Sequence, residues 1–388
     1  MEPALFDQLQ ETLASQGPHI AIERLCKTLR ADKDYANLFY ALLLKKRHEL
    51  GVSPVPTESA QALPEAVHAP YEDAIREAGR LVGQLYLDAG DIPRAWMYFR
   101  MIGEAEPVAR ALEGHEFKEG EDPQQLIEIA FHHGVNPRKG FDWILDRYGI
   151  CSTITMVSGQ EFPQHEVRVY CIQGLVRSLY EQLRQRLAED VARREGQAPA
   201  GQSVRELMAG RDYLFEDDFY HVDVSHLSSI VQMSVHLPPC PELEQARELC
   251  AYGQRLSPRF QSQGDPPFDD QYRDYAVYLS VLAGDHPEEG IAHFQAKAEQ
   301  ADPETVGTFP AEVLVNLLLR VNRPAQALTV ARRFLTRPQS TPPSCPSIVE
   351  LCRMTGDYKT LSEVAREQGD PVHFVAGLLA EKTNDGTA

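Results

Sequence analysis

Alternation of apolar and polar residues, the mark of a half-buried strand, is nearly missing from this chain. Only Cys151 to Val157 has a β-branched character, and seven residues between helical stretches serve equally as a buried helix start. A sheet-based fold is therefore not expected. No run of about 18 apolar residues occurs, so no membrane span is expected. The seven cysteines are odd in number and include no C-x-x-C, which argues against a disulfide framework and for a reducing compartment. The first residues, Met-Glu-Pro-Ala-Leu-Phe-Asp, lack the basic and apolar regions of a secretory leader, so the cytoplasm is the expected address. The glycine patterns that cradle phosphates, the G-x-S-x-G of serine hydrolases and the H-E-x-x-H of zinc proteases are all absent.

Positive charge is also in short supply. There are 38 Lys and Arg against 57 Asp and Glu, a net charge of −19, and such a chain repels a phosphate backbone. Nucleic acid is not an expected partner. One local exception runs from Arg24 to Arg47, where seven basic residues face only Asp32 and Asp34. They are spread around helical faces and read as solvated surface.

What the chain has is helical periodicity, on a composition of 43% hydrophobic and 24% charged residues that suits a packed core. Residues 1–51 read as N-terminal helices, with breaks at Gly17-Pro18 and Gly51. Residues 52–70 carry Pro54, Pro56, Pro64 and Pro70 and read as an exposed loop. Residues 71–120 hold a helix, a Gly90-Asp91 turn and a second helix, with Asp91 as cap and Pro93 in the first turn. Residues 121–257 are helical without a repeat. A long helix opens at Pro163 there, with one apolar stripe formed by Val167, Cys171, Leu175, Val176, Leu179, Leu183, Leu187 and Val191. Residues 258–388 return to the grammar of 71–120: apolar helices end at Gly284-Asp285, Val321-Asn322 and Gly356-Asp357, each followed by a second helix.

Those C-terminal turns are spaced by about 36 residues, near the period of tetratricopeptide units. Small residues stand where paired helices approach (Gly83, Ala95, Gly290, Ala327), and aromatic anchors stand beside them (Tyr86, Phe99, Phe294, Phe334). In these features the chain resembles the tetratricopeptide-repeat family over Ala74–Leu112 and Tyr272–Leu379, under half its length, with degenerate units. The resemblance implies an all-α array of antiparallel helix hairpins, an α-solenoid whose concave face binds a protein or peptide. One hairpin cannot bury its apolar face alone, so neighbours must stack. The expected function is thus non-catalytic protein or peptide binding, with no cofactor.

The alternative is a metal-dependent enzyme or small-ligand binder in the central region. Tyr220-His-Val-Asp-Val-Ser-His226 places His221 and His226 on either side of Asp223 at a helix start, and His132 and His133 end another helix. Neutral imidazoles with a carboxylate suit zinc, iron or manganese, and Glu128 or Glu166 would act as general base on a bound water. Against this, histidines near helix ends are commonly plain hydrogen-bonding groups. Arg138 and Lys139, at a helix start, form a possible anion pocket walled by Trp143 and Tyr148, although Arg138 and Asp142 at i and i+4 also suit a surface pair. Cys151 is a candidate nucleophile paired with His132 or His221, although Ile150, Ile154 and Met156 around it point to a buried, inert thiol.

Overall fold

A computed structural model describes residues 3–55, 63–197, 201–261, 263–302, 304–336 and 344–385. These residues are helical almost throughout. Among them the one extended pairing is an isolated bridge between Gln263 and Asp270. The β-branched stretch Cys151 to Val157 is helix. In the proline-rich segment, residues 56–62 lie outside the described set. Pro64 leads into a short 3-10 turn, Glu65–Val67, and Pro70 sits in the first turn of the next helix rather than in a loop. The first turn tolerates proline because its N–H groups have no intrahelical partner. In the connector after the long central helix, residues 198–200 are likewise outside the described set.

The chain divides into two compact units, Met1–Gly149 and Ile150–Ala388. The N-terminal unit contains α1 (Pro3–Gln16), α2 (Pro18–Ala31), α3 (Tyr35–Glu49), α4 (His68–Asp88), α5 (Ile92–Ile102), α6 (Glu106–Glu113) and α7 (Gln124–Ile127). From α1 to α6 each helix packs on the next in sequence. Leu38, Val82, Phe99, Val108 and Leu112 form part of one buried cluster there. The unit ends in the first part of α8 (Pro137–Gly159), which is broken at Gly149 by a non-helical backbone (φ 73°, ψ 178°).

The C-terminal unit opens with the rest of α8 and with α9 (His165–Glu195). All eight residues of the α9 stripe are buried. Against α9 pack α10 (Val204–Met208), α11 (Val224–Met233) and α12 (Pro241–Arg255). Then come α13 (Gln271–Leu282), α14 (Pro287–Gln300), α15 (Phe309–Arg320), α16 (Pro324–Phe334), α17 (Ile348–Thr355), α18 (Tyr358–Gln368) and α19 (Pro371–Asp385), each packed on the next.

The same turn closes several first helices. After α4, Gly90 takes a left-handed backbone (φ 78°) and the Asp91 N–H reaches back to the Tyr86 carbonyl at 2.9 Å. After α13, Gly284 (φ 78°) is followed by an Asp285 N–H bonded to the Ser280 carbonyl at 2.9 Å. After α15, Asn322 (φ 59°) and Arg323 repeat the pattern on the Leu318 carbonyl. Glycine and asparagine are the residues that accept this backbone at least cost. Asp91 then caps α5 by accepting from the Arg94 N–H at 3.0 Å.

Close helix approach explains the small residues. A Cβ on Gly83 would lie 2.7 Å from the Phe99 ring, and one on Gly290 would lie 2.2 Å from Val281 Cγ2. Ala95 and Ala327 are fully buried. Gly290→Ala is therefore expected to destabilise the protein. The overpacking cost of about 1–3 kcal/mol against α13 exceeds the gain of up to about 1 kcal/mol from removing a helical glycine. A lower urea midpoint checks this, and an unchanged or higher midpoint would show that α13 yields freely.

Candidate functional site

The histidines singled out from the sequence fall into both units. In the N-terminal unit, residues Glu128–His132 form a π-turn, in which the His133 N–H bonds to the Glu128 carbonyl at 2.9 Å. Five-residue winding brings His133 near Glu128: its Nε2 lies 3.7 Å from Glu128 Oε1. The Trp96 Nε1–H donates to His133 Nδ1 at 2.9 Å, so the imidazole proton belongs on Nε2. The His132 ring packs edge-on to Phe131. Lys139 Nζ lies 5.9 Å from the centre of the Trp143 ring, a cation–π contact, while Arg138 is exposed at the start of α8.

In the C-terminal unit, His221 is 4% exposed and its ring is bracketed. Nε2 lies 3.2 Å from Asp190 Oδ2 and Nδ1 lies 3.2 Å from the Tyr252 hydroxyl, which also accepts from the His221 N–H at 2.7 Å. These bonds close consistently with Tyr252 donating to Nδ1 and Nε2–H donating to Asp190. Burial lowers the His221 pKa from its ordinary value, and Asp190 restores only part of it. Asp223 is the N-cap of α11: its Oδ1 accepts from the Ser225 N–H at 2.8 Å, the Ser225 hydroxyl at 2.5 Å and the His226 N–H at 3.3 Å. The Ser225 hydroxyl and these amides hold its carboxyl below the usual range. Glu166 is exposed in the first turn of α9. No group of three or more His, Cys, Asp or Glu among the described residues is disposed to hold a metal ion. Cys151 is exposed rather than buried, because the α8 face that turns inward there carries Ile150, Ile154 and Val157.

A cleft of about 560 Å³ lies elsewhere in the C-terminal unit. One wall is α13, with Tyr275 and Tyr278. Another is α15, with Phe309, Val313, Asn316, Leu319 and Arg320. The turn at Val235 and His236, the start of α9 at His165, and Ser344 with Pro346 complete the rim. Phe268 stacks on Tyr275 with ring centres 4.0 Å apart. Arg320 holds the turn by donating to the Val235 carbonyl at 2.8 Å and the Leu237 carbonyl at 2.5 Å. Glu312, 6% exposed, accepts from the Ser344 N–H at 2.8 Å, the Ser344 hydroxyl at 2.7 Å and the Thr308 hydroxyl at 2.7 Å, which fixes the opposite rim.

Electrostatically this region departs from the acidic average of the chain. Burial, then Arg168, Arg320 and His165, push the His236 imidazole down to about 4, so it is neutral at pH 7. Burial likewise holds the Tyr278 phenol up near 12 and keeps it a neutral hydroxyl. No Asp or Glu is among the described residues that line the cleft. An aromatic hollow with a few fixed polar groups at its edge is the usual character of a ligand seat.

The sequence carries little trace of this cleft. Tyr275 and Tyr278, three residues apart on α13, are its local trace. No protein-family model matches the chain, and comparison with curated proteins and with solved structures gives no match either.

Proposed function

We propose that the chain is a helical-repeat protein of tetratricopeptide type that binds a protein or peptide segment without catalysis, and that the segment sits in the aromatic cleft of the C-terminal unit. The observation that carries this reading is the make-up of the cleft walls. The first helices of two successive pairs, α13 and α15, supply them, and the same left-handed turn follows each. The glycines and alanines at the close helix contacts support the stacked-hairpin part of the proposal. A reducing, cytoplasmic setting belongs to it too: no disulfide forms among the described residues, and Cys171, Cys250 and Cys352 are buried thiols.

The test is selection of a phage-displayed peptide library on the intact protein, followed by fluorescence polarisation with the enriched peptides. Phe309 is 44% exposed at the rim. Phe309→Ala is expected to weaken those peptides about tenfold, as removal of an aromatic anchor does, with little loss of stability. Leu319→Ala, deeper in the same wall, should act in the same direction. No enrichment would remove the peptide reading. Enriched peptides that bind both variants as they bind the parent would place the seat elsewhere.

A further inference from the structure

His236 also lines a second, smaller cleft of about 310 Å³, between the last turns of α8 and α11 and the first turns of α9. Its character is different. Arg168, Ser229, Gln232 and Ser158 line it with His236, and among the described residues no carboxylate does. Arginines in this acidic chain commonly sit on a carboxylate: Arg177 on Glu242 at 2.7 Å, Arg193 on Asp190 at 2.6 Å and Arg211 on Glu195 at 2.8 Å are three neighbours that do. The Arg168 guanidinium, by contrast, makes no hydrogen bond or ion pair among the described residues, and neither does the His236 imidazole. The Ser229 hydroxyl is uncommitted in the same sense. The Ser158 hydroxyl already donates to the Ile154 carbonyl at 2.8 Å, so it is not a donor here. One amide proton of Gln232 goes to Ser228, and the second is left over.

The charged groups that face His236 are Arg168 and His165 from α9 and Arg320 from α15, all cationic or able to become so. Guanidinium, imidazole and hydroxyl come from three different elements, around a space large enough for a small molecule. A planar carboxylate engages one fork. A tetrahedral oxyanion offers acceptors in several directions and matches donors set around it.

We propose that this polar cleft binds the phosphate group of a small phosphomonoester, or free phosphate, with Arg168, Ser229 and His236 as its donors. The site is independent of peptide binding in the aromatic cleft, which meets it only at His236. An oxyanion beside His236 favours the imidazolium, so binding draws a proton onto this ring and converts it into a second cationic donor.

Isothermal titration with sodium phosphate and with phenyl phosphate, against sodium chloride at matched ionic strength, tests the proposal on the full chain. Saturable binding is expected, weakened about 10- to 100-fold in Arg168→Ala as a charge-assisted fork is lost. Arg168 is exposed, so the variant should fold as the parent does. Ser229→Ala should weaken binding in the same direction by less. Tighter binding of phenyl phosphate identifies an organic monoester as the ligand class, and equal binding identifies the phosphate group alone. Absence of saturable heat with either probe, or an unchanged dissociation constant in Arg168→Ala, overturns the proposal.

Discussion

Replacing Asp274 by alanine is expected to cost the C-terminal unit about 3–5 kcal/mol, the range for breaking a buried charged network from one side. Asp274 is 1% exposed and carries three partners. Its Oδ2 accepts from Lys297 Nζ at 2.8 Å and from the Asp270 N–H at 2.9 Å, at the start of α13, and its Oδ1 lies 2.7 Å from His293 Nε2. Burial works against the Lys297 charge, but Asp269 and Asp274 more than restore it and hold its pKa above the ordinary value. Without Asp274, that ammonium keeps only Asp269, at 2.6 Å and more exposed, and the Asp270 N–H at the start of α13 loses its acceptor. Lys297→Met should also destabilise, but by less, because the buried Asp274 carboxylate it leaves behind keeps the Asp270 N–H and His293 Nε2 as partners. The double variant should then recover part of the Asp274→Ala loss. Urea unfolding of the four proteins gives the coupling directly, and additive losses would show that the pair is not a network.

The reasons some features were legible in the sequence and others were not are physical. The α9 stripe was readable because burial along one helix face follows its 3.6-residue period, and nothing distant is needed to see it. Gly83 and Gly290 were readable because a close helix approach excludes a side chain and so leaves a compositional trace. The surroundings of His221 were not readable. Its partners Asp190 and Tyr252 are each 31 residues away and come from two other helices, so its local context, Tyr220 to His226, carries no sign of them. The approach of His133 to Glu128 was not readable either, since a π-turn cannot be told from an α-turn by apolar spacing over a single turn. Cys151 was misjudged because apolar neighbours in sequence are not neighbours in space on a helix. The aromatic cleft gathers the start of α9, the turn after α11, and parts of α13 and α15, and only packing brings these together.

Acidification is expected to destabilise the protein through His236, by about 2–3 kcal/mol between pH 6.5 and pH 4. Burial and the three neighbouring cations hold the folded imidazole at about 4, against an ordinary value of 6.5. Above 6.5 the ring is neutral in both folded and unfolded chains, so its contribution to stability is full there. Between 6.5 and about 4 the unfolded chain takes up a proton that the folded chain refuses, and stability falls with pH throughout that window. His221 adds a smaller effect of the same sign, because Asp190 offsets much of its burial. His236→Asn keeps a polar planar group of similar size and cannot charge. Its urea midpoint should therefore fall less than the parent's as pH drops from about 7 to about 5, with the difference removed at neutral pH. Parallel pH curves for parent and variant would mean that His236 is solvated well enough to titrate normally. In the presence of phosphate the parent's acid loss should shrink, since an anion on Arg168 admits the proton to the folded state, and Arg168→Ala should abolish that protection.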